Sequence, residues 1–443
     1  MRIKLSDHFT VRRLLHFTLP SIVMMIFTSV YGVVDGFFVS NFVGKTPFAA
    51  VNFIMPFLMI LGTVGVMLGT GGSALVSKTI GEGDREKANR IFSLLVYTSI
   101  IAGAVVAVLG IVFMEPVAAA LGAKGSMLDG CVAYGRIILL ALPALILQME
   151  FQCFFVTAEK PQLGLVITVI SGVANMALDA LLVAVFPLGL AGAAAATAIS
   201  QSLGGIIPLF YFGRRRNSSL LCLTKTRLDG RALLKACTNG SSELMSNVSM
   251  SLVGMLYNIQ LLKYAGENGV AAYGVMMYVS MIFNAAFIGY SIGSAPIVGY
   301  HFGAENYTEL KGLLRKSMRI IAVFAVGMLA ISFSLASPLT KIFVGYDEEL
   351  WTLTRHGFMI FSFSFLMSGF AIFSSGFFTA LNDGLTSALI SFLRTLVFQL
   401  AAVLLLPILF GIDGIWFSIV AAELMAVVLS AAFLFIKQKK YHY

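Results

Sequence analysis

The chain has 443 residues, of which 58% are hydrophobic and 12% charged, with a formal net charge of +9. Soluble domains carry about 25% charged residues, and this composition in water would expose large apolar patches. An ordinary soluble globule is excluded, and lipid is the solvent for most of the chain. Lipid admits only helices and closed barrels, because every backbone polar group must be satisfied internally. Barrel strands alternate apolar and polar residues over about ten positions. Here long apolar runs recur instead, as at 91–113, 163–186, 320–336 and 386–406. The fold class is an all-α polytopic membrane protein.

Met1–Phe17 is basic and polar, and the apolar run after it has no cleavage-like site, so no removable signal peptide is expected. Span-length segments then follow at 14–39, 46–72, 91–113, 131–157, 162–186 and 190–212. A second set covers 238–262, 270–298, 317–336, 351–380, 385–406 and 413–436. These twelve spans define a lobe over 1–213, a cytoplasmic linker over 214–237 and a second lobe over 238–443.

Cations cluster before the first span (Arg2, Lys4, Arg12, Arg13), after the second (Lys78, Arg85, Lys87, Arg90), after the sixth (Arg214–Arg216, Lys225, Arg227, Arg231, Lys235) and after the eighth (Lys311, Arg315, Lys316, Arg319). Lys437, Lys439 and Lys440 close the chain. The alternate loops hold little more than Lys45, Lys124, Lys263 and Lys341. By the positive-inside rule both termini are cytoplasmic in a multi-pass inner or plasma membrane protein. The same rule accounts for the net charge, so no nucleic-acid partner is expected.

The two halves repeat each other. Ala49-Ala50 recurs as Ala271-Ala272, Gly81 as Gly303, Pro116 as Pro338 and Gly135 as Gly357. Phe155, Thr157 and Ala158 return as Phe377, Thr379 and Ala380, and Gly189 and Gly192 as Gly411 and Gly414. Each pair is 222 positions apart (81 to 303, 189 to 411), with no gap implied. Six spans per half leave both copies pointing the same way, as two six-helix bundles related by a pseudo-two-fold along the membrane normal. The matching loops Gly81–Asp84 and Gly303–Asn306 each end in a residue suited to an N-cap. Asn306 with Glu309 fits a capping box, and both loops are expected to lead into short interfacial helices.

Ionisable groups within spans are costly and are functional candidates by default. They are Asp35, Glu150, Asp179, Glu243, Arg394 and Glu423. Asn175 and Asp179, at i and i+4, share a helix face with no salt partner along that helix. A carboxyl so placed is either a proton or Na⁺ carrier or part of a structural network. Asp35 lies late in the first span and is placed to share that pocket or to reach the outer interface. Glu150, flanked by Gln148 and Gln152, is either a substrate-facing acid or a helix–helix contact. Glu243 starts the seventh span, where a favourable interaction with the helix N-terminus is the alternative to a cavity role. Arg394 and Glu423 are read as a structural ion pair. The four cysteines form no CxxC pair, and no disulfide or zinc site is implied.

With these residues in place, the chain resembles the multidrug and toxic compound extrusion (MATE) antiporters over essentially its whole length. The resemblance rests on the two six-helix halves, Pro20 and Asp35-Gly in the first span, the Gly81 and Gly303 loops, and the set Asn175, Asp179 and Thr197. It implies a V-shaped pair of bundles and export of lipophilic organic cations in exchange for H⁺ or Na⁺, with no other cofactor. Carried over by position, Asp35, Asn175, Asp179, Thr197 and Tyr134 form the cation-coupling cluster, a Na⁺ site if Na⁺ is the coupling ion. Pro20 becomes the kink at which the first helix bends. Gln148, Glu150, Gln152 and Glu243 are candidates for the substrate cavity. Some branches also place an aspartate in the tenth span, but Gly357–Thr379 contains no acid, so a second-lobe Na⁺ site is not supported.

The expected protein is therefore a monomeric efflux antiporter whose partners are small cationic molecules and the bilayer. The alternative is a lipid-linked oligosaccharide or isoprenoid-lipid flippase of the same superfamily. Such a protein needs several cavity-facing cations, and Arg394 is the main intramembrane one. An enzyme is not expected, because the five histidines are scattered and no nucleophile–base or HExxH spacing occurs.

Overall fold

The computed structural model describes residues 3–43, 45–214, 219–345 and 347–443. Arg2, Arg215 and Arg216 of the cation set lie outside them, as does the side chain of Lys45. The described residues of the first half form α1 (Val11–Phe38), α2 (Lys45–Gly81), α3 (Arg85–Leu121), α4 (Ser126–Leu140), α5 (Leu142–Thr157), α6 (Pro161–Asp179) and α7 (Gly189–Gly213). The second half forms α8 (Gly230–Gly303), α9 (Tyr307–Val344), α10 (Glu348–Ser362), α11 (Phe365–Ala380), α12 (Gly384–Phe392), α13 (Phe398–Phe410) and α14 (Ile412–Tyr441).

Among the described residues nine helical stretches are long and apolar enough to cross a membrane, and two bent pairs bring the number to 11. α8 counts once in that tally, yet its 74 residues would run about 110 Å as one rod, far beyond a bilayer. It breaks at Gly266, whose φ of 61° and ψ of −151° are not helical, and so crosses twice. Twelve crossings result. The bent pairs are α4 with α5 (56°) and α10 with α11 (48°), at matching places in the two halves. Pro143 is the second residue of α5, but α11 contains no proline, so proline is not what fixes the bend.

The sequence boundaries needed three corrections. α3 and α9 run unbroken from residues 85 and 307, so the loops do not lead into separate interfacial helices. Asp84 and Asn306 do cap these helices, accepting from the N–H of Lys87 and of Glu309. Glu309 does not complete a capping box. Its carboxylate instead accepts from the Phe9 N–H at 3.0 Å and pairs with His8 Nδ1 at 2.6 Å, which ties the N-terminal segment to α9. Finally, α8 begins at Gly230 with Asp229 as its N-cap, eight residues before the apolar run that marked the seventh span.

Four apolar cores show how the helices assemble. Two contain buried residues of one half only, 39–194 and 253–419. A third packs α2, α3, α5 and α7 together around Phe92, Phe151, Phe154 and Phe212. The fourth joins Phe9, Phe17 and Ile22 of the first half to α8, α9 and α11. The lobes are thus fused at the end that carries both termini and keep separate cores at the other.

Glycines set that seam, and the repeat places them in mirrored pairs. A Cβ on Gly71 would fall 2.0 Å from the Ala236 carbonyl, and one on Gly240 1.9 Å from that of Met67. Across the pseudo-two-fold, Gly293 lies against Thr18, and Gly289 against Ser21 and Ile22. Gly81 abuts the Tyr300 carbonyl while its duplicate Gly303 abuts that of Lys78. Asn382 adds polar stitches, donating to the Ala74 carbonyl at 3.1 Å and accepting from the Asn239 amide at 2.6 Å.

The offset is not constant. The caps Lys160 and Asp383 are 223 positions apart, as are Glu159 and Asn382, both with positive φ near 59°. α10 ends 222 positions after α4, but α11 begins 223 after α5, so the added residue lies in the link between α10 and α11. A π-helical turn at Leu393–Val397 accommodates another, which moves the counterpart of any residue beyond it to 224. Gly189 and Gly411, both at positive φ, restore 222.

Two outcomes follow. Gly240→Val forces overpacking at the seam and lowers unfolding stability by about 1–3 kcal/mol, whereas Gly32→Ala, with nothing within 4 Å of its Cβ, does not; thermal unfolding of purified protein compares them. Asp383 lies outside the spans and caps α12. Burial alone would push its carboxyl up, but bonds from Tyr441 (2.7 Å) and Thr386 and the charge of Lys437 hold it below its usual 3.8. That stabilisation is present above the unfolded value and is lost as pH falls through the lower folded one. Between pH 6 and about 3 wild type loses more stability than Asp383→Asn, measured by denaturation at each pH.

Candidate functional site

The expected coupling residues come from α1, α4, α6 and α7, in the half of the first lobe far from the termini. Asp35 sits near the end of α1, and its carboxyl faces Asp179 and Thr197 closely enough for all three to interact. Tyr134, on α4, is 1% exposed and faces both aspartates and Thr197. Asn175 and Asp179 line the buried face of α6, and a π-helical turn at Ala180–Val185 follows Asp179 directly. Such turns add one residue to a helix, realign its face, and recur at functional sites.

The hydrogen bonding of this group sets it apart. One oxygen of Asp35, both of Asp179, the Asn175 carbonyl and the hydroxyls of Thr197 and Tyr134 are buried without a protein partner. Buried polar atoms are nearly always bonded, because an unmade bond costs about 1–3 kcal/mol. Six such atoms converge here, all oxygen, on a pocket whose two acids have no ion-pair partner among the described residues. Tyr31, one turn before Asp35, also faces its carboxyl, and its ring packs with Phe27 against Gly172. Its only sequence signal is the i, i+4 spacing to Asp35.

The expected cavity residues are divided. A small central cavity of about 50 Å³ lies between the lobes, lined by Thr70, Ser73 and Cys153 of the first and Glu243, Ser291 and Thr379 of the second. Glu243 is the one expected cavity residue that lines it. Gln148 and Gln152 instead face a crevice between α5, α6 and α7, where Gln148 approaches Ser171 at 3.5 Å and presses on Gly204. Glu150 is 0% exposed, faces Ser99 of α3, and leaves both carboxylate oxygens unpartnered. Cys153, which follows it by nearly one turn, reaches the cavity in its place. Pro20 lies within an unbroken α1, on the turn where that helix meets Gly289 and Gly293 of α8. Arg394 and Glu423 form a bidentate pair at 2.8–3.1 Å, as expected from sequence.

The MatE family model matches the chain twice, at residues 20–181 and 244–405, together more than half its length. The chain belongs to the MatE family. This MatE chain is 25% identical over 411 residues to multidrug export protein MepA of Staphylococcus saprophyticus, covering 93% of this chain and 90% of that protein. It is 24% identical to MepA of Staphylococcus haemolyticus over 413 residues, at the same coverage. Among solved structures, a MATE protein in complex with MaL6 superposes with a TM-score of 0.93 at 19% identity, covering 98% of each chain. That likeness concerns the fold.

A carboxylate buried without partners destabilises the fold that holds it. Asp179→Leu is therefore expected to raise stability by about 1–3 kcal/mol in thermal unfolding at pH 7, at the expense of function.

Proposed function

We propose that this MatE chain is a secondary active multidrug efflux antiporter that exports lipophilic organic cations in exchange for H⁺ or Na⁺. The observation that carries the reading is the convergence of unpartnered oxygens around Asp35 and Asp179. Two carboxylates facing each other in an apolar lobe cannot both stand ionised without a counter-charge. A proton on one of them, or a cation among the five side chains, supplies it. All-oxygen donors suit a hard ion such as Na⁺, and the acid pair suits a proton. Multidrug export is the printed role of the MepA relatives, which match this chain along nearly all its length.

The lobes share a core at the termini end and have separate cores at the far end, so the cleft opens away from the termini. With the termini cytoplasmic, that is the outward-facing state. Ion uptake at Asp35 and Asp179 then neutralises the first lobe and weakens its hold on a cationic drug, which leaves outside. Inward return releases the ion and restores the acids. α1 carries Asp35 at one end and the seam contacts at the other, and Pro20 breaks one backbone bond between them. Charge at Asp35 thereby bears on the packing of the seam.

A flippase needs free cations for a pyrophosphate. Arg394 is instead held by Glu423 at 2.8 Å, which favours the antiporter.

Purified protein in liposomes with a fluorescent organic cation separates the alternatives. A pH gradient or a Na⁺ gradient, imposed singly, is expected to drive efflux in wild type, and Asp35→Asn or Asp179→Asn is expected to reduce it about 100-fold or more, the scale of a lost charged interaction. Efflux by both variants at the wild-type rate would overturn the reading. Movement of a labelled isoprenoid lipid with neither gradient active would favour the flippase.

A further inference from the structure

The second lobe holds a cavity of about 450 Å³ that the coupling reading does not use. That is the size of small-molecule sites. Its position is the repeat's counterpart of the aspartate cluster. Tyr257 stands where Asp35 does, 222 positions on, and Ile419 where Thr197 does. Beyond the residues added before α11 and in the π-helical turn, Gln399 stands for Asn175 and Val403 for Asp179, 224 positions on. Tyr257, Gln399 and Ile419 all line the cavity, and Val403 is buried in the core around it. The second copy has thus lost both acids and gained a chamber.

One wall is aromatic and rigid. Tyr257 and Tyr273 stack at 5.1 Å with planes 3° apart, and Tyr257 donates to Gln399 at 2.7 Å; both rings are buried, so the stack stiffens that wall from behind. Its charges come as a pair. Arg394 and Glu423 are the charged residues lining the cavity, joined through Arg394 Nε and Nη2. Among the described residues no hydrogen bond occupies Arg394 Nη1. The counterparts in the first lobe are the neutral Ser171 (223 positions before) and Gln201 (222 before), so the pair belongs to this chamber alone.

A neutral buried pair discriminates by charge pattern. A lone cation or lone anion must enter without a net counter-charge, which a desolvated site penalises. A ligand carrying both signs can lie antiparallel to the pair. Its carboxylate then takes the remaining guanidinium donors and its cationic group meets the open lone pairs of Glu423. We propose that this chamber is a second ligand site, selective for planar aromatic zwitterions, with the Tyr257–Tyr273 stack backing one wall and Arg394–Glu423 as the charge-pattern reader. The site deepens the export reading by adding a substrate class, and its binding does not depend on ion coupling.

Rhodamine B, a zwitterion, and its ethyl ester, a permanent cation on the same rings, are titrated against purified protein by fluorescence polarisation. Wild type is expected to bind the zwitterion about tenfold more tightly. The uncharged double variant Arg394→Met/Glu423→Gln is expected to bind the two dyes alike. Arg394→Lys keeps the charge and the fold but not the planar fork, and is expected to reduce the preference severalfold. Both tryptophans, Trp351 and Trp416, lie in this lobe, so their emission checks that each variant is folded. Equal binding of the dyes by wild type, or a preference that survives in the folded double variant or is unchanged in Arg394→Lys, would overturn the proposal. Asp179→Asn separates the two readings: it is expected to abolish efflux and keep the dye preference, whereas unchanged efflux would sink the coupling reading alone.

Discussion

Backbone pressed on backbone at the seam between α2 and α8 holds the two lobes in one arrangement. In lipid the hydrophobic effect does little to drive helices together, so close packing through small residues must do it. Gly71, Gly240, Gly81 and Gly303 let carbonyls of the opposite helix approach to distances that any side chain would forbid. Gly81 and Gly303 are duplicates of each other, and the contact of Gly71 with the Gly240 turn recurs as that of Gly293 with Thr18, so the seam is built twice around one axis. The N-terminal segment and Asn382 reinforce the same end with hydrogen bonds that cross between the lobes. Among the described residues no apolar core joins the far ends.

Buried charge is handled in opposite ways by the two lobes. In the first, Asp35 and Asp179 are left with unpartnered oxygens, and the surrounding Tyr134, Asn175 and Thr197 add polar atoms that the protein does not satisfy. Such a pocket carries a cost that a proton or a counter-charge would relieve. In the second, the acid of Glu423 is matched by Arg394 with three bonds, and a cavity stands at the equivalent position. One scaffold therefore presents an uncompensated acid pair and a charge-balanced chamber at equivalent positions. Duplication supplied the shape, and divergence of a few buried residues supplied the difference.

Much of this was legible before any coordinates. Apolar run lengths determined the crossings, the distribution of lysine and arginine grouped the loops, and the i, i+4 spacing of Asn175 and Asp179 singled out a polar helix face. The ion pair between Arg394 and Glu423 was readable too, because an intramembrane cation needs a partner. Other features were not. Gln148 and Gln152, one turn apart, face one crevice, but helical rotation turns Glu150 between them toward Ser99 of α3. The residue that reaches the central cavity from α5 is the inconspicuous Cys153. The apparent constancy of the repeat was likewise misleading, since an extra residue between α10 and α11 and a π-helical turn shift the register without disturbing the pattern of glycines.

The sequence by itself determined that this is a twelve-span, two-fold repeated membrane protein with its unmatched acids in the first half. Composition, periodicity and duplication are properties of the chain alone, and lipid leaves helices little choice. The tertiary structure decided which polar atoms converge and which remain unpaired. It also decided where the lobes touch and which duplicated position became a cavity. Those depend on distances between residues far apart in the chain, which are set by how glycines, bends and inserted turns rotate one helix against another.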